Sequence, residues 1–425
     1  MTFAGIFVPD ELRDAVSDEA WLRAMLDFER ALATAGAHAG VIPGEAATAI
    51  GNACRPESFD VGAITVAGRA IGNPAEPLVR ALREQVGGDA AGFVHWGATS
   101  QDVMDTAAVL ISCRALVLVD GEVDRVAAAC ARLAEEHRGT VMAARTLLQQ
   151  AVPTTFGLKA AGWLVSLLEA HRAVRAWQPA VELGGAGGTL ASLGDKGLEV
   201  LGLLSEELDL PEPPIPWHVN RVRFAHLCAR LAVLAAVLAK IGRDVALLTQ
   251  TEVGEVHEPA GSGGSSTMPH KRNPVGSALA VASAERVMAA ASAITAGMVQ
   301  EHERGLGGWQ AEWGALSQAL ANTGGAAAHI RVVLEGLEVD AERMRANLSD
   351  LSGAEHASFI LARRVGRAEA HELIGKAAQA ESFRDGLIEA GLSPEEVDRV
   401  LDPGTYLGAS DAFVERALEL YEART

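Results

Sequence analysis

The segment Leu227-Cys-Ala-Arg-Leu-Ala-Val-Leu-Ala-Ala-Val-Leu-Ala239 is apolar around nearly its whole circumference when it is wound into a helix. Alanine and leucine lose little conformational freedom in a helix, so their abundance favours one here. A helix that is apolar on nearly all sides must be buried on several of them. We therefore expect this helix inside a bundle of long helices. Sharing the bundle between subunits is one way to cover it, and the sequence thus predicts a homo-oligomer.

Long stretches without proline, in which apolar residues recur at intervals of three and four, make up the middle of the chain. Long helices that lie side by side form a bundle. The predicted long helices are 105–138, 155–177, 220–250, 275–298 and 316–337. Shorter helices broken by prolines precede them, and the last part of the chain contains the helix start Ser393-Pro-Glu-Glu. We therefore expect an all-α protein with an N-terminal helical domain (1–100), a central long-helix bundle (101–340) and a small C-terminal helical domain (341–425).

The composition excludes several classes of protein. With 49% hydrophobic and 21% charged residues, the 425-residue chain is globular and ordered. Its formal net charge is -19 and it has no run rich in Lys or Arg, so we expect no nucleic-acid partner. The longest uncharged apolar run, 231–239, is far shorter than the roughly 20 residues of a membrane span, so we expect no membrane partner.

The remaining composition signals concern the compartment and the cofactors. The four cysteines form no C-x-x-C pair and no cluster with histidine, which is typical of free thiols in a reducing cytoplasm. The N-terminus lacks the basic segment of a signal peptide. Because we find no metal-binding motif, P-loop or dinucleotide fingerprint, we expect neither a cofactor nor a metal. The run Gly184-Gly-Ala-Gly-Gly188 follows no clear strand, and we interpret it as a tight turn.

The chemistry is concentrated in Gly261-Ser-Gly-Gly-Ser-Ser-Thr-Met-Pro-His-Lys-Arg-Asn-Pro274. Its glycines allow backbone N–H groups to turn toward an anion. Its hydroxyl groups can move a proton, and its cations can hold a carboxylate. A loop that combines a base with anion binders indicates proton abstraction next to a carboxylate. The alternative, a solvated Gly/Ser linker, does not explain the Met-Pro-His-Lys-Arg-Asn half of the segment.

Three further polar segments lie near the ends of the predicted long helices: 95–105, 144–155 and 298–309. In the first, Thr99 or Ser100 could simply cap the following helix, but a helix N-terminus beside hydroxyl and amide groups is also an anion site. In the second, Arg145 could be an exposed charge at a helix end. The third could be a charged helix terminus that ends at Gly305. We treat all three segments as candidate parts of a carboxylate-binding site.

These segments, in this order, resemble those of the fumarase/aspartase superfamily. Gly264-Ser-Ser-Thr-Met-Pro-His-Lys-Arg-Asn273 matches the G-S-S-x-M-P-x-K-x-N motif of that superfamily at every fixed position. Thr99-Ser-Gln-Asp102 and Arg145-Thr146 resemble its two other segments, so the resemblance spans nearly the whole chain. It implies an almost all-α, three-domain protein whose central domains form a twenty-helix bundle in a homotetramer. It also implies active sites that take one segment from each of three subunits.

Within this superfamily the chain most resembles the cycloisomerases, which close and open a lactone. The runs that carry this resemblance are 95–106, 148–159, 216–218, 242–252, 300–304 and 401–408. Fumarases and adenylosuccinate lyases carry Thr-His in the second segment, whereas this chain has Thr146-Leu147. A carboxylate leaves readily without an acid, so the missing imidazole favours a cycloisomerase. The alternatives are a lyase of the same fold that releases fumarate from an N- or O-substituted succinate by β-elimination, of the nitrosuccinate or adenylosuccinate type, and a non-catalytic structural relative. Residues 347–355 look shortened and altered relative to the cycloisomerases, which allows for a changed substrate.

The resemblance also assigns roles to residues. Ser265 is the expected base for carbanion formation, and Lys271 with the glycine-rich backbone would stabilise its alkoxide. The expected substrate is a small polycarboxylate. The residues expected to bind it are His95, Thr99, Ser100, Gln101, Arg145, Thr146, Gln149, Ser266, Met268, Lys271, Asn273 and Arg304. The general acid is left open between His270 and His302.

Overall fold

The computed structural model describes residues 3–259, 268 and 271–424 of the chain. Helices dominate this part, and its two sheets have two strands each, so the expected all-α class is confirmed. The helices are α1 (Ala4–Phe7), α2 (Asp10–Ala15), α3 (Asp18–His38), α4 (Gly44–Ala53), α5 (Val61–Gly68), α6 (Ala75–Val86), α7 (Ser100–Glu136), α8 (Phe156–Arg175), α9 (Gly197–Leu208), α10 (Val222–Leu248), α11 (Val275–Ala296), α12 (Gly308–Glu335), α13 (Ala341–Ala346), α14 (Ala354–Val365), α15 (Arg367–Ala377), α16 (Phe383–Glu389), α17 (Pro394–Leu401) and α18 (Ser410–Glu422). The strands are β1 (Val141–Thr146), β2 (Gln149–Thr155), β3 (Val256–His257) and β4 (Glu338–Val339).

The predicted long helices are present as α7, α8, α10, α11 and α12. The largest difference is at the start of α12, which begins at Gly308 instead of 316. Tertiary packing stabilises these extra turns, because Trp309 is buried and its Nε1 donates to Oδ1 of Asp105 in α7 at 3.0 Å. Its ring also packs edge-to-face against Trp313, one turn later in the same helix, with 4.9 Å between ring centroids. The stretch 298–307, for which a helix terminus was one interpretation, is an irregular connection between α11 and α12.

Helix α11 is long and apolar enough to cross a membrane by length and composition alone. Only 33% of its most apolar window is buried within the chain, and Glu285 and Arg286 interrupt its middle. A core helix of a soluble protein meets the same criteria. This one helix, among the residues that the structure describes, is therefore weak evidence for a membrane span.

The chain divides into two compact units whose boundaries fall inside the long helices. The first unit comprises Met1–Val123, Ala170–Ala239 and Leu279–Ala328. The second unit comprises Asp124–Glu169, Lys240–Ala278 and His329–Thr425. In the first unit, α3 packs against α4 and α9. In the second unit, α14 to α17 enclose a small apolar core around Leu361 and Leu387, and the predicted helix start at Ser393 is confirmed by a capping box with Glu396.

A β-hairpin that we did not predict carries the second polar segment. β1 pairs antiparallel with β2, and Thr146 lies opposite Gln149. Leu147 and Leu148 form the turn with φ values of 50° and 64°, a region that leucine rarely adopts. Turns of this kind usually contain Asn-Gly or Asp-Gly, so the sequence lacked the usual signal. Arg145 therefore lies in a strand, and its interpretation as a helix-end charge is wrong.

Two glycines of α12 have opposite surroundings. A Cβ atom added at Gly325 would lie 2.2 Å from the carbonyl oxygen of Phe7, and a backbone oxygen cannot move aside easily. At Gly314, no described atom outside the helix backbone lies within 4 Å of the corresponding Cβ position. Position 325 is therefore a close contact between backbones, whereas position 314 has room for a side chain.

We predict that Gly325→Ala lowers the free energy of unfolding by about 1–3 kcal/mol, because overpacking forces the backbone apart. The matched variant Gly314→Ala should raise it by about 0.5–1 kcal/mol, since alanine favours the helix over glycine. Urea unfolding followed by circular dichroism measures both values. Equal effects of the two substitutions would contradict the close approach of α12 to Phe7.

Candidate active site

The first predicted segment lies at the start of α7 and is fastened by the buried carboxylate of Asp102. Oδ2 of Asp102 accepts the backbone N–H of Thr99 at 2.8 Å. The same carboxylate accepts the backbone N–H groups of Gly184 and Gly185, each at 3.0 Å. The glycine run that we interpreted as a tight turn is thus attached to the N-terminal end of α7.

This glycine turn also holds Arg304. Gly185 has a φ of 67°, and a Cβ atom there would lie 3.0 Å from the carbonyl oxygen of Gly97, so glycine suits the position. Nη2 of Arg304 donates to the carbonyl oxygens of Gly185 at 2.6 Å and Ala186 at 3.2 Å. The turn therefore brings Arg304 to the first segment. The sequence analysis did not predict that the glycine turn holds Arg304, although the glycine run was visible in the sequence.

His218 and Glu182 extend the cluster around Asp102. Nε2 of His218 lies 2.6 Å from Oδ1 of Asp102 and 3.5 Å from Oε1 of Glu182, and all three side chains are buried. Burial raises the pKa of Glu182 well above its usual range, and the charges of Asp102 and Asp105 raise it further. Burial and the neighbouring charges therefore favour the neutral form of the Glu182 carboxyl group.

The same three side chains have the chemistry of metal ligands. Their ligand atoms lie within 4.8 Å of one another. However, the carboxylate of Asp102 already accepts three backbone N–H groups and contacts the ring nitrogen of His218. A carboxylate with this many partners is satisfied by the protein itself. We therefore interpret the cluster as a hydrogen-bonded support for the start of α7.

A second buried network fixes α7 one turn further along. The terminal nitrogens of Arg221 donate to the two oxygens of Asp105 at 2.7 and 2.9 Å. Nε and Nη2 of Arg221 donate to Oε2 of Glu312 at 3.0 and 2.7 Å. Burial raises the pKa of Glu312 by more than its contacts with Arg221 lower it, so the pKa is raised. One guanidinium thus holds two buried carboxylates, and the charges depend on one another because water does not reach them.

Gln101 joins this network through its amide group. Its Nε2 donates to Oδ2 of Asp105 at 3.0 Å and to the carbonyl oxygen of His218 at 2.8 Å. Both amide hydrogens are therefore used within the chain. The amide nitrogen of Gln101 therefore orients the helix start and has no hydrogen left for a substrate carboxylate. A direct contact of Gln101 with substrate stays a prediction.

His95 has a buried partner that sequence reasoning missed. Its Nδ1 lies 2.6 Å from Oε1 of Glu29, whose side chain is fully buried in α3. Burial by itself would lower the pKa of His95, but the charge and hydrogen bond of Glu29 outweigh it, and the pKa is raised. His95 is therefore favoured as a cation within the first segment. The signal in the sequence was one glutamate on the otherwise apolar face of α3.

The predicted residues of the second segment lie on the hairpin. Thr146 and Gln149 are exposed on either side of its turn. Nη1 and Nη2 of Arg145 donate to the fully buried carboxylate of Glu255 at 2.9 and 2.6 Å. Nδ2 of Asn347 donates to the same carboxylate at 2.8 Å. Neither Glu255 nor Asn347 was predicted as a site residue.

The chain on both sides of the predicted catalytic loop is fixed by Glu258. Its carboxylate accepts the backbone N–H groups of Gly276 and Ser277 at 2.9 and 2.8 Å at the start of α11. Arg272 donates to the carbonyl oxygen of Glu258 at 2.6 Å and to both carboxylate oxygens of Glu338 at 2.8 Å. Glu258 thus joins the residues before the loop to those after it.

The loop itself is described only in part. Met268 and Lys271 are exposed, and Asn273 is half-buried. Ser265 and Ser266 lie outside the described residues, so their roles stay predictions.

Each unit thus carries its own part of the predicted site. The first unit gathers a cation, two half-buried hydroxyl residues and a helix N-terminus, a combination suited to an anion. Its predicted residues are His95, Thr99, Ser100, Gln101 and Arg304. The predicted residues of the second unit are Arg145, Thr146, Gln149, Met268, Lys271 and Asn273.

We predict that Glu29→Gln lowers the pKa of His95 and changes the pH dependence of stability. In the wild type, the raised pKa stabilises the folded protein below the ordinary histidine pKa of about 6.5, and this contribution is lost as the pH rises through the raised value. The variant should flatten that decline, which urea unfolding between about pH 5 and pH 9 measures. Glu19→Gln, exposed on the same helix, is the matched control and should keep the wild-type profile. An unchanged profile in Glu29→Gln would contradict the pairing.

Comparison with known proteins places this arrangement in a family. A lyase family model matches residues 8–289. A 3-carboxy-cis,cis-muconate cycloisomerase of Bradyrhizobium diazoefficiens is 46% identical over 432 residues, which cover 97% of this chain and 96% of that protein. A nitrosuccinate lyase of Streptomyces davaonensis is 45% identical, over 95% of this chain and 91% of that protein. The crystal structure of a 3-carboxy-cis,cis-muconate lactonizing enzyme from Pseudomonas putida matches with a TM-score of 0.93 and 41% identity, over 99% of both chains.

These matches agree with the resemblance that the motif loop suggested. The family model covers more than half of the chain, and the similar proteins cover nearly all of it. The helical fold also matches a solved lactonizing enzyme over almost its full length. The chain is therefore an enzyme that belongs to this lyase family, within the fumarase/aspartase superfamily.

Proposed function

We propose that the chain is a 3-carboxy-cis,cis-muconate cycloisomerase, which lactonizes its substrate in protocatechuate catabolism. The observation that carries this proposal is the full-length similarity to proteins of that name, at 46% identity in sequence and a TM-score of 0.93 in structure. The replacement of the second-segment imidazole by Leu147 supports the same reading. Leu147 is exposed at the hairpin turn and cannot donate a proton.

The proposed chemistry passes through a carbanion α to a carboxylate. In lactone closure, a substrate carboxylate oxygen forms a C–O bond with an alkene carbon, and the π electrons move to the neighbouring carbon. The Ser265 hydroxyl then gives that carbon its proton. In the reverse direction, the Ser265 alkoxide removes the proton and the carboxylate oxygen leaves. Negative charge rises on the neighbouring carboxylate in the transition state, so donors fixed around it lower the barrier.

The absence of a strong acid at position 147 fits this chemistry. A carboxylate oxygen is a stable anion and leaves without being protonated first. An amine or a hydroxide ion needs a proton to leave, and a lyase that expels one requires a positioned acid. Leu147 therefore suits a lactonizing reaction better than the release of ammonia-like or water-like groups.

The carboxylates of the substrate require several cations and dipoles. We assign Lys271, Asn273 and Arg145 to substrate carboxylates, together with Thr146, Gln149, Ser266 and Met268 in the same unit. In the first unit, we assign Thr99, Ser100 and Gln101 at the start of α7 to substrate binding as well. His95 and Arg304 add positive charge there. Arg145 and His95 are held by the buried carboxylates of Glu255 and Glu29, which limits the reorganisation needed when charge develops.

We also propose that the protein is a homotetramer with a twenty-helix core and active sites shared by three subunits. Apolar side chains on the long helices support this proposal, because Val117 is 70% exposed, Val233 56% and Met288 42%. Exposed apolar surface of this kind is typical of an interface. The division into domains 1–100, 101–340 and 341–425 is part of the same proposal. The four cysteines are free thiols, which fits the proposed cytoplasmic location.

The second candidate is a β-elimination lyase of the same superfamily that releases fumarate from a substituted succinate. The 45% identity to a nitrosuccinate lyase favours it, and nitrite, like a carboxylate, leaves without an acid. The stretch 347–355, which the family resemblance suggested to be altered, also fits a changed substrate, since Nε2 of Gln150 in the hairpin that carries Arg145 donates to the backbone carbonyl oxygen of Asn347.

We expect the purified protein to remove the ultraviolet diene absorbance of 3-carboxy-cis,cis-muconate and to form a lactone. The reason is that ring closure interrupts the conjugation of the diene. Absorbance at fixed enzyme concentration, with product identified by mass spectrometry, measures this. No absorbance change with a folded tetramer, together with fumarate release from nitrosuccinate, would replace the first candidate by the second.

We expect Ser265→Ala to lower kcat by about 10²–10⁴-fold, the usual effect of removing a general base. Ser262→Ala, in the same loop but outside the motif, is the matched control and should keep wild-type turnover. Steady-state kinetics with circular dichroism as a folding check measures both. Full turnover by Ser265→Ala would exclude this serine as the base.

A further inference from the structure

We propose that Glu255 and Asn347 are positioning residues that fix the guanidinium of Arg145 for a substrate carboxylate. The stretch that begins at Asn347 would thereby tune substrate binding without touching the substrate. This inference rests on the proposed function, because it deepens the role that Arg145 has there. It assigns a use to the buried Glu255 and to the stretch that begins at Asn347, which the motifs leave unexplained.

The first observation is the geometry of the ion pair. Nη1 of Arg145 donates to Oε2 of Glu255 at 2.9 Å, and Nη2 donates to Oε1 at 2.6 Å. Two parallel bonds of this kind fix the plane of a guanidinium, which a single contact would not do. They use two of its five N–H donors. The remaining donors are therefore held in a set direction, and we assign them to a carboxylate of the substrate.

The second observation is the burial of the pair. The side chain of Glu255 is fully buried, whereas that of Arg145 is 21% exposed. A buried carboxylate needs its partners, since water cannot replace them. The pair is thus anchored at its Glu255 end and reaches the surface at its Arg145 end.

The third observation is that Asn347 completes the anchor. Its Nδ2 donates to Oε1 of Glu255 at 2.8 Å and to the carbonyl oxygen of Val253 at 2.8 Å, so both amide hydrogens have acceptors. The backbone carbonyl oxygen of Asn347 accepts a hydrogen bond from Nε2 of Gln150 at 2.8 Å. Gln150 lies opposite Arg145 in the hairpin. Asn347 therefore connects the carboxylate that holds Arg145 with the strand that pairs with Arg145.

The amide of Asn347 serves both acceptors because its nitrogen carries two hydrogens and no charge. Aspartate at position 347 would place a second carboxylate beside Glu255, and alanine would leave an oxygen of Glu255 with one donor fewer. The turn after Asn347 continues into the 3₁₀ segment Asp350–Gly353, which packs against β2. A change of length or sequence there moves Asn347, and through Glu255 it moves Arg145. The altered stretch is thus linked to the site by hydrogen bonds.

The inference is tested by a double-mutant cycle of Asn347→Ala and Arg145→Lys, measured with 3-carboxy-cis,cis-muconate. We expect Asn347→Ala to raise KM about tenfold with little change in kcat, because it weakens ground-state and transition-state binding equally. Arg145→Lys removes the two-bond contact and should raise KM further. If Asn347 acts through Arg145, the double variant has the KM of Arg145→Lys alone.

Arg343→Ala is the matched control for a merely structural role. Arg343 donates to the carbonyl oxygens of Val253 and Glu252 at 3.0 and 3.1 Å, so it holds the same turn without contacting the carboxylate of Glu255. It should lower Tm about as much as Asn347→Ala and leave KM unchanged. The inference would be overturned if the rise in KM of the double variant were the product of the rises in the two single variants. It would also be overturned if Arg343→Ala raised KM as much as Asn347→Ala does.

The test separates this inference from the proposed function. If the wild type does not turn over carboxymuconate, the proposed function fails, and the same cycle is measured by calorimetric binding of propane-1,2,3-tricarboxylate. Non-additive losses of affinity would then still support the positioning of Arg145. Additive losses, or absence of tricarboxylate binding by the wild type, would overturn it.

Discussion

The buried ion pair between Arg221 and Asp105, completed by Glu312, is the interaction on which the candidate site most depends. These side chains are almost inaccessible to water, so each charge relies on the others. Gln101 donates to Asp105 from one turn earlier in α7. The pair therefore fixes the first turn of a 37-residue helix, the place where the helix dipole favours an anion.

Buried carboxylates serve the same purpose elsewhere in the chain. Asp102 fastens the first segment and the glycine turn, Glu255 holds Arg145, and Glu258 joins the two sides of the predicted catalytic loop. Each carboxylate accepts two or more N–H groups, which offsets the loss of water around it. The net charge of -19 thus does not conflict with binding a polycarboxylate, because part of the acidic residues hold donors inside the protein.

The motif residues could be predicted because they are close together in sequence and chemically distinctive. The buried partners of these residues could not be predicted from the sequence. Glu29 lies 66 positions from His95, and Glu255 lies 110 positions from Arg145, so no local pattern joins them. The hairpin was missed because Leu147 and Leu148 occupy a backbone region that glycine and asparagine normally mark.

The sequence by itself determined the long helices, the all-α class and the family, since helical periodicity and the motif loop are local features. It also predicted that carboxylate chemistry is concentrated in a few polar segments. Only the tertiary structure decided which charges pair, because a buried side chain is satisfied by whatever the fold brings within hydrogen-bond distance. That is why the start of α12, the attachment of the glycine turn to α7 and the anchoring of Arg145 emerged only from the packed chain.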